Sequence, residues 1–90
     1  MRAIERTAKF KRDHKREKKS NAGLDDILLP ILELLAGDGA LPDRLRDHAL
    51  DGDLYGYRDC HIRPDLVLIY AKLGNLLKLV RIGSHAEVYG

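Results

Sequence analysis

Tryptophan is absent from this 90-residue chain, phenylalanine, methionine and cysteine each occur once, and proline occurs three times. With Cys60 as the lone thiol, no intramolecular disulfide can form, and nothing points to an oxidising compartment. Long apolar runs are missing too. The longest, Ile27 to Leu35, is broken by Pro30 and Glu33, well short of the ~20 residues a membrane-spanning helix needs. The amino terminus carries no apolar signal-peptide core. The expectation is a soluble, cytoplasmic protein with no membrane partner. A chain this short buries only about 60 to 65% of its unfolded surface and cannot sustain two cores, so residues 1–90 should form one domain with its site on its own surface.

An excess of charge of one sign is also missing overall, with 16 Lys and Arg against 14 Asp and Glu. That balance conceals an asymmetry. Residues 1 to 20 hold nine basic and three acidic side chains, a net of +6, while the remaining seventy hold seven and eleven, a net of −4. A localised basic segment suggests a polyanionic partner.

Arg2 to Arg6 alternates and permits a brief strand. Thr7 to Lys19 reads as a basic, largely solvated helix with Phe10 as its one large apolar anchor and His14 exposed to solvent. After the turn formers Ser20 to Gly23, a second helix is expected from Leu24 to Ala36. Its apolar residues recur at three and four, Asp25 and Asp26 favour its amino end, and Gly37 stands where a C-terminal cap belongs. Pro30 should kink it or mark a later start. From Asp53 onward the period becomes that of strands: Leu54 to Ile62, Leu66 to Leu73 and Leu76 to Ile82, separated by Arg63-Pro64-Asp65 and Gly74-Asn75. Connections this short demand an antiparallel meander. The fold class is therefore α+β, a helical hairpin packed on a meander, with the other sheet face free to form a groove.

The chemistry-bearing residues collect in the second half. Period two on the first meander strand puts Tyr55, Tyr57, Asp59 and His61 on one face and Arg58 and Cys60 on the other. The following turn should return Asp65 to His61, where a shared hydrogen bond would set the imidazole tautomer. His85 should come back toward the start of the first meander strand, His48 should approach from the opposite rim, and Arg81 could balance charge on a phosphoryl group. Three histidines, a carboxylate and a guanidinium supply general acid, general base and phosphate ligand. Each histidine alone is more simply structural; their joint occurrence with Asp65 points to a site. Tyr70 reads as a core aromatic with its hydroxyl at the surface, and Cys60 as a small buried residue facing the second helix. A zinc site would have ligands enough, but H-E-x-x-H and C-x-x-C spacings are absent, as are phosphate-cradling glycine motifs and a serine elbow.

The run Asp47-His48-Ala49-Leu50, then Gly52, Gly56-Tyr57-Arg58-Asp59-Cys60-His61, Pro64-Asp65, and Arg81-Ile82-Gly83-Ser84-His85-Ala86 resembles the YafQ toxins of the RelE superfamily, from bacterial toxin–antitoxin operons. The match covers residues 47 to 90 in order and spacing. The resemblance implies a RelE-like fold and a ribosome-dependent, metal-independent, cofactor-free mRNA interferase. Carried over by position, its active residues are His48, Asp59, His61, Asp65, His85 and Tyr89, with Arg81 in attendance. Tyr55 stands where Trp is often found, and Tyr89 replaces the usual Phe. The basic helix, with Lys9, Lys11, Arg12, Lys15, Arg16, Lys18 and Lys19, would dock on ribosomal RNA while the site cuts messenger RNA in the ribosomal A site. A DinJ-like ribbon-helix-helix antitoxin would be the cognate partner. The alternative reading is a non-catalytic RNA- or ribosome-binding module.

Overall fold

In the computed structural model, which describes residues 1–90, the chain runs β1 (Ala3–Arg6), α1 (Ala8–Ser20), α2 (Leu24–Ala36), β2 (His48–Ala49), β3 (Arg58–Arg63), β4 (Leu66–Leu73), β5 (Leu76–Gly83) and α3 (His85–Tyr89). Single 3-10 turns lie at Asp43–Leu45 and Gly52–Leu54. The five strands form one sheet in the order β1-β5-β4-β3-β2. β3, β4 and β5 are the expected antiparallel meander, and β2 adds a two-residue antiparallel edge. The brief first strand forms too, in parallel with β5, which makes the sheet mixed.

Both long helices form close to the expected bounds. In α1 the Thr7 side chain accepts the Phe10 N–H and starts the first turn. α2 buries Leu24, Leu28, Ile31, Leu32, Leu35 and Ala36, one stripe that meets Cys60, Ile62, Leu68, Tyr70, Leu77, Leu79 and Ile82 in the core. Burying each of the larger of these side chains contributes roughly 1.5–3 kcal/mol. Pro30 does not end the helix; it lies on the exposed side, where water can satisfy the Asp26 carbonyl that loses its donor. At the carboxyl end Gly37 keeps an ordinary φ of −95°, and Asp38 takes the left-handed turn instead, at 54°.

Three expectations need correction. The first meander strand begins at Arg58 and not at Leu54, because Gly52 and Gly56 take φ of +65° and +94°, which breaks an extended run. Tyr55 and Tyr57 therefore leave the strand face. His14 is not solvated: it stacks on Phe10 at 5.7 Å, and its Nε2 lies 2.7 Å from Asp25 Oδ1, tying α1 to α2. The hydroxyl of Tyr70 is not at the surface either; the residue is buried and donates to Asp47.

The junction of α1 with β5 carries the most charge in the interior. β1 stops pairing at Leu79, and from there α1 covers the strand edge. The Thr7 hydroxyl donates to the Val80 carbonyl at 3.1 Å, Ile82 N–H donates to Asp13 Oδ2 at 3.2 Å, and Arg16 Nη2 donates to the Ile82 carbonyl at 3.4 Å. Asp13 is 4% exposed and also receives Arg81 Nε at 2.6 Å and Arg16 Nη1 at 3.1 Å. Burial raises its pKa, but hydrogen bonds from Arg81 and the Ile82 N–H, the Arg81 charge and the Arg16 hydrogen bond outweigh that and hold the carboxyl below its ordinary value. Its stabilisation is then complete above the unfolded value of about 3.9 and is lost as pH falls through the lower folded value. Asp13→Asn should cost about 3 kcal/mol, lower the melting temperature by on the order of 15 °C, and flatten the acid limb of stability below about pH 4. Calorimetry of both proteins from pH 2 to 7 checks this, and an unchanged melting temperature would refute it.

Candidate functional site

β3 alternates as a half-buried strand must: Cys60 and Ile62 enter the core, while Asp59 and His61 belong to the opposite face. His48 is the cross-strand partner of Asp59, and such partners share a face. His85 opens α3, which is set by a capping box in which Ser84 accepts the Glu87 N–H and Glu87 accepts the Ser84 N–H. This S-x-x-E spacing was the one sequence signal for the helix. At Gly83, just before the turn, a Cβ would lie 3.0 Å from Arg16 Nη2 and 3.2 Å from Glu87 Oε1, so those two side-chain ends pack closely on the glycine.

These elements gather one cluster. The His61 and His85 rings are 5.1 Å apart between centroids, and His85 and Tyr89 are 5.9 Å apart. The Tyr89 hydroxyl donates to Asp59 Oδ2, and both burial and this carboxylate push the phenol above its ordinary value. Asp59 Oδ1 and His61 Nδ1, both buried and without a formed hydrogen bond, face each other at 3.5 Å. A hydrogen bond from Nδ1–H to that oxygen would leave Nε2 free. His48 Nδ1 donates to the Arg46 carbonyl at 2.7 Å. A carbonyl can only accept, so the neutral ring keeps its lone pair on the free Nε2.

Three placements differ from expectation. His85 meets the end of β3 rather than its start, because the meander's two reversals leave β5 running parallel to β3. Asp65 consequently faces His85, Nδ1 to Oδ1 at 3.8 Å, while His61 faces Asp59. Arg81 is not free to hold a phosphate. Its guanidinium binds Asp13 and donates to the Glu87 carbonyl at 3.4 Å, bracing α3 against α1. Arg16 is likewise occupied by Asp13, Glu17 and Glu87, and Lys18 by Asp25. Lys9, Lys11, Arg12, Lys15 and Lys19 are exposed and enter no ion pair with a carboxylate.

Sequence reasoning passed over a supporting knot behind β2. Asp47 accepts Arg58 at 2.8 and 3.2 Å together with the Tyr70 hydroxyl, which anchors the residue preceding His48. Burial raises the Cys60 thiol to about 12, so it is no nucleophile at neutral pH. No three His, Cys, Asp or Glu side chains converge as a metal-binding set. Tyr89→Phe would leave Asp59 Oδ2 without its donor, and should cost about 1–3 kcal/mol in a urea titration. An unshifted midpoint would show that the hydroxyl latches nothing.

A family described as the YafQ bacterial toxin of type II toxin–antitoxin systems matches residues 2–90. The mRNA interferase toxin YafQ of Escherichia coli K12 is 34% identical over 90 residues, covering 100% of this chain and 98% of that one. Among solved structures, a copper-bound mutant toxin from Helicobacter pylori superposes with a TM-score of 0.93 at 31% identity, covering 98% of this chain and 99% of that one. The toxin chain in the E. coli DinJ–YafQ complex gives 0.88 at 35% identity over all of both chains. With a family match spanning all but the first residue and a fold shared at this level of identity, the chain belongs to the YafQ family of type II toxin–antitoxin toxins.

Proposed function

We propose that this single-domain toxin is an mRNA interferase that cleaves messenger RNA in the ribosomal A site, without a metal, by histidine acid–base chemistry. The observation that carries the reading is the His61–His85 ring pair beside Asp59, with His48 in register across from that aspartate. The curated name of the E. coli relative, an mRNA interferase, supports the activity.

In-line displacement at phosphorus needs proton carriers on opposite sides of the reacting centre. His48 on β2, in register with Asp59, and His85 on α3, beside His61, are the pair we assign to these two roles. His48 Nε2 takes the proton of the ribose 2′-OH, the freed oxygen attacks the adjacent phosphorus, and the bond to the 5′-oxygen breaks. His85 protonates that departing oxygen. The products are a 2′,3′-cyclic phosphate and a 5′-hydroxyl. His61, oriented by Asp59 through Nδ1, donates to the phosphoryl oxygens from Nε2 in its imidazolium form, in which both ring nitrogens carry protons, and Asp65 steadies the His85 ring. The partly exposed Tyr89 ring offers a surface for a base.

The free cations of α1, Lys9, Lys11, Arg12, Lys15 and Lys19, suit ribosomal RNA, so the site of action is the cytoplasm. The E. coli DinJ–YafQ complex supports a DinJ-like ribbon-helix-helix antitoxin as partner, acidic where it meets α1. Purified protein with translating ribosomes should cut message at full rate in EDTA and spare DNA, which lacks the 2′-hydroxyl. His48→Ala and His85→Ala should each lower cleavage by about 10²–10⁴-fold, read by primer extension. Full cleavage by His85→Ala would overturn the site, and tight ribosome binding with intact message would make this a non-catalytic binding module.

A further inference from the structure

The arginine expected to meet the phosphate, Arg81, is engaged by Asp13 and the Glu87 carbonyl. A polyanion lying across the histidines still needs cations. A groove of about 900 Å³ opens beside His61 and His85 and is also lined by Arg44, Arg46 and Arg63, with no carboxylate in its wall. None of these three arginines forms an ion pair, whereas Arg2, Arg16, Arg58 and Arg81 all do.

Two parts of the fold supply these residues to the groove. Arg44 lies in the 3-10 turn Asp43–Leu45, whose only buried residue is Leu45, so the turn is pinned to the core while Arg44 is exposed. Arg46 follows with a left-handed φ of 47°. That conformation is costly for a side chain of this kind, and here its carbonyl holds His48 Nδ1 while the residue lines the groove. Arg63 ends β3, where the register against β4 shifts between His61 and Arg63.

We propose that Arg44, Arg46 and Arg63 form a phosphate track that holds the RNA backbone running away from the phosphate at His61 and His85. The planar guanidinium fork matches phosphate oxygens in two-point contacts, which suits Arg better than Lys. Three arginines in a wall without carboxylates, beside a nuclease site, fit the backbone of a single strand and read no base. The track rests on the ribonuclease reading for the identity of its polyanion, and it separates two tasks: histidines for chemistry, arginines for affinity.

The test is fluorescence anisotropy with a labelled single-stranded RNA oligonucleotide that is 2′-O-methylated throughout and so cannot be cut. At about 100 mM salt the R44Q/R46Q/R63Q protein should bind it at least about tenfold more weakly, with the slope of log affinity against log salt shallower by about 0.7 for each phosphate no longer neutralised. His85→Gln, which removes none of the three arginines, should keep the wild-type salt slope while failing to cleave translated message. The arginines are exposed and unpaired, so the triple variant should melt as the wild type does; if it does not fold, R44Q and R63Q singly should each flatten the slope by about 0.7. Wild-type affinity and slope in the arginine variants overturn the track, as does absence of measurable binding by the wild type. Unaltered RNA binding combined with lost binding of a polyglutamate peptide overturns it in favour of an acidic protein partner. Failure of the track with His85→Gln still inactive leaves the nuclease reading standing, whereas a fully active His85→Gln removes that reading.

Discussion

Asp13 sits where β1 has stopped hydrogen-bonding to β5 and α1 must take over the strand edge. A strand edge left to a helix has polar groups that no neighbouring strand can satisfy, and burying them unpaired costs free energy. One carboxylate answers several of these needs at once. It accepts the Ile82 N–H and binds the Arg81 and Arg16 guanidiniums, while those arginines reach the Glu87 carbonyl, the Glu87 carboxylate and the Ile82 carbonyl. A helix with Phe10 as its only buried apolar residue is thereby fastened to the sheet, and α3 is fastened to both.

The consequence reaches the chemistry through α3. That helix is only five residues long, too short to persist without a cap and tertiary contacts. Its capping box and the Arg81 brace fix its first turn, and at its far end the Tyr89 hydroxyl closes on Asp59. Between these two ties His85 is held against His61. Asp59 thus takes part in both arms of the cluster: one oxygen receives Tyr89 and the other faces His61. On the far side of β3 the Arg58–Asp47–Tyr70 knot and the Arg46 carbonyl keep β2 and the His48 ring in place.

Cations in this protein divide by what surrounds them. Arg16, Arg58 and Arg81 face carboxylates in the half-buried joints between elements and act as structural bolts. Arg44, Arg46 and Arg63, and the outer lysines of α1, stay in water with their charge uncancelled. Only charges of the second kind are available to a polyanion, because a guanidinium already paired with a carboxylate presents little net field.

Periodicity and turn chemistry by themselves determined both long helices, the β3-β4-β5 meander and the division of Cys60 from Asp59 and His61, because each depends on residues within a few positions of one another. The motif from Asp47 to Ala86 also marked the histidines that come together. Long-range pairing decided the rest. Whether Arg81 was free depended on Asp13, 68 positions away, and which carboxylate faced which histidine depended on the direction of β5. The two-residue β2 is too short to show a period, and the start of β3 was set by the backbone angles at Gly52 and Gly56. Charge on a side chain is written in the sequence; whether that charge remains available depends on neighbours that only the folded chain supplies.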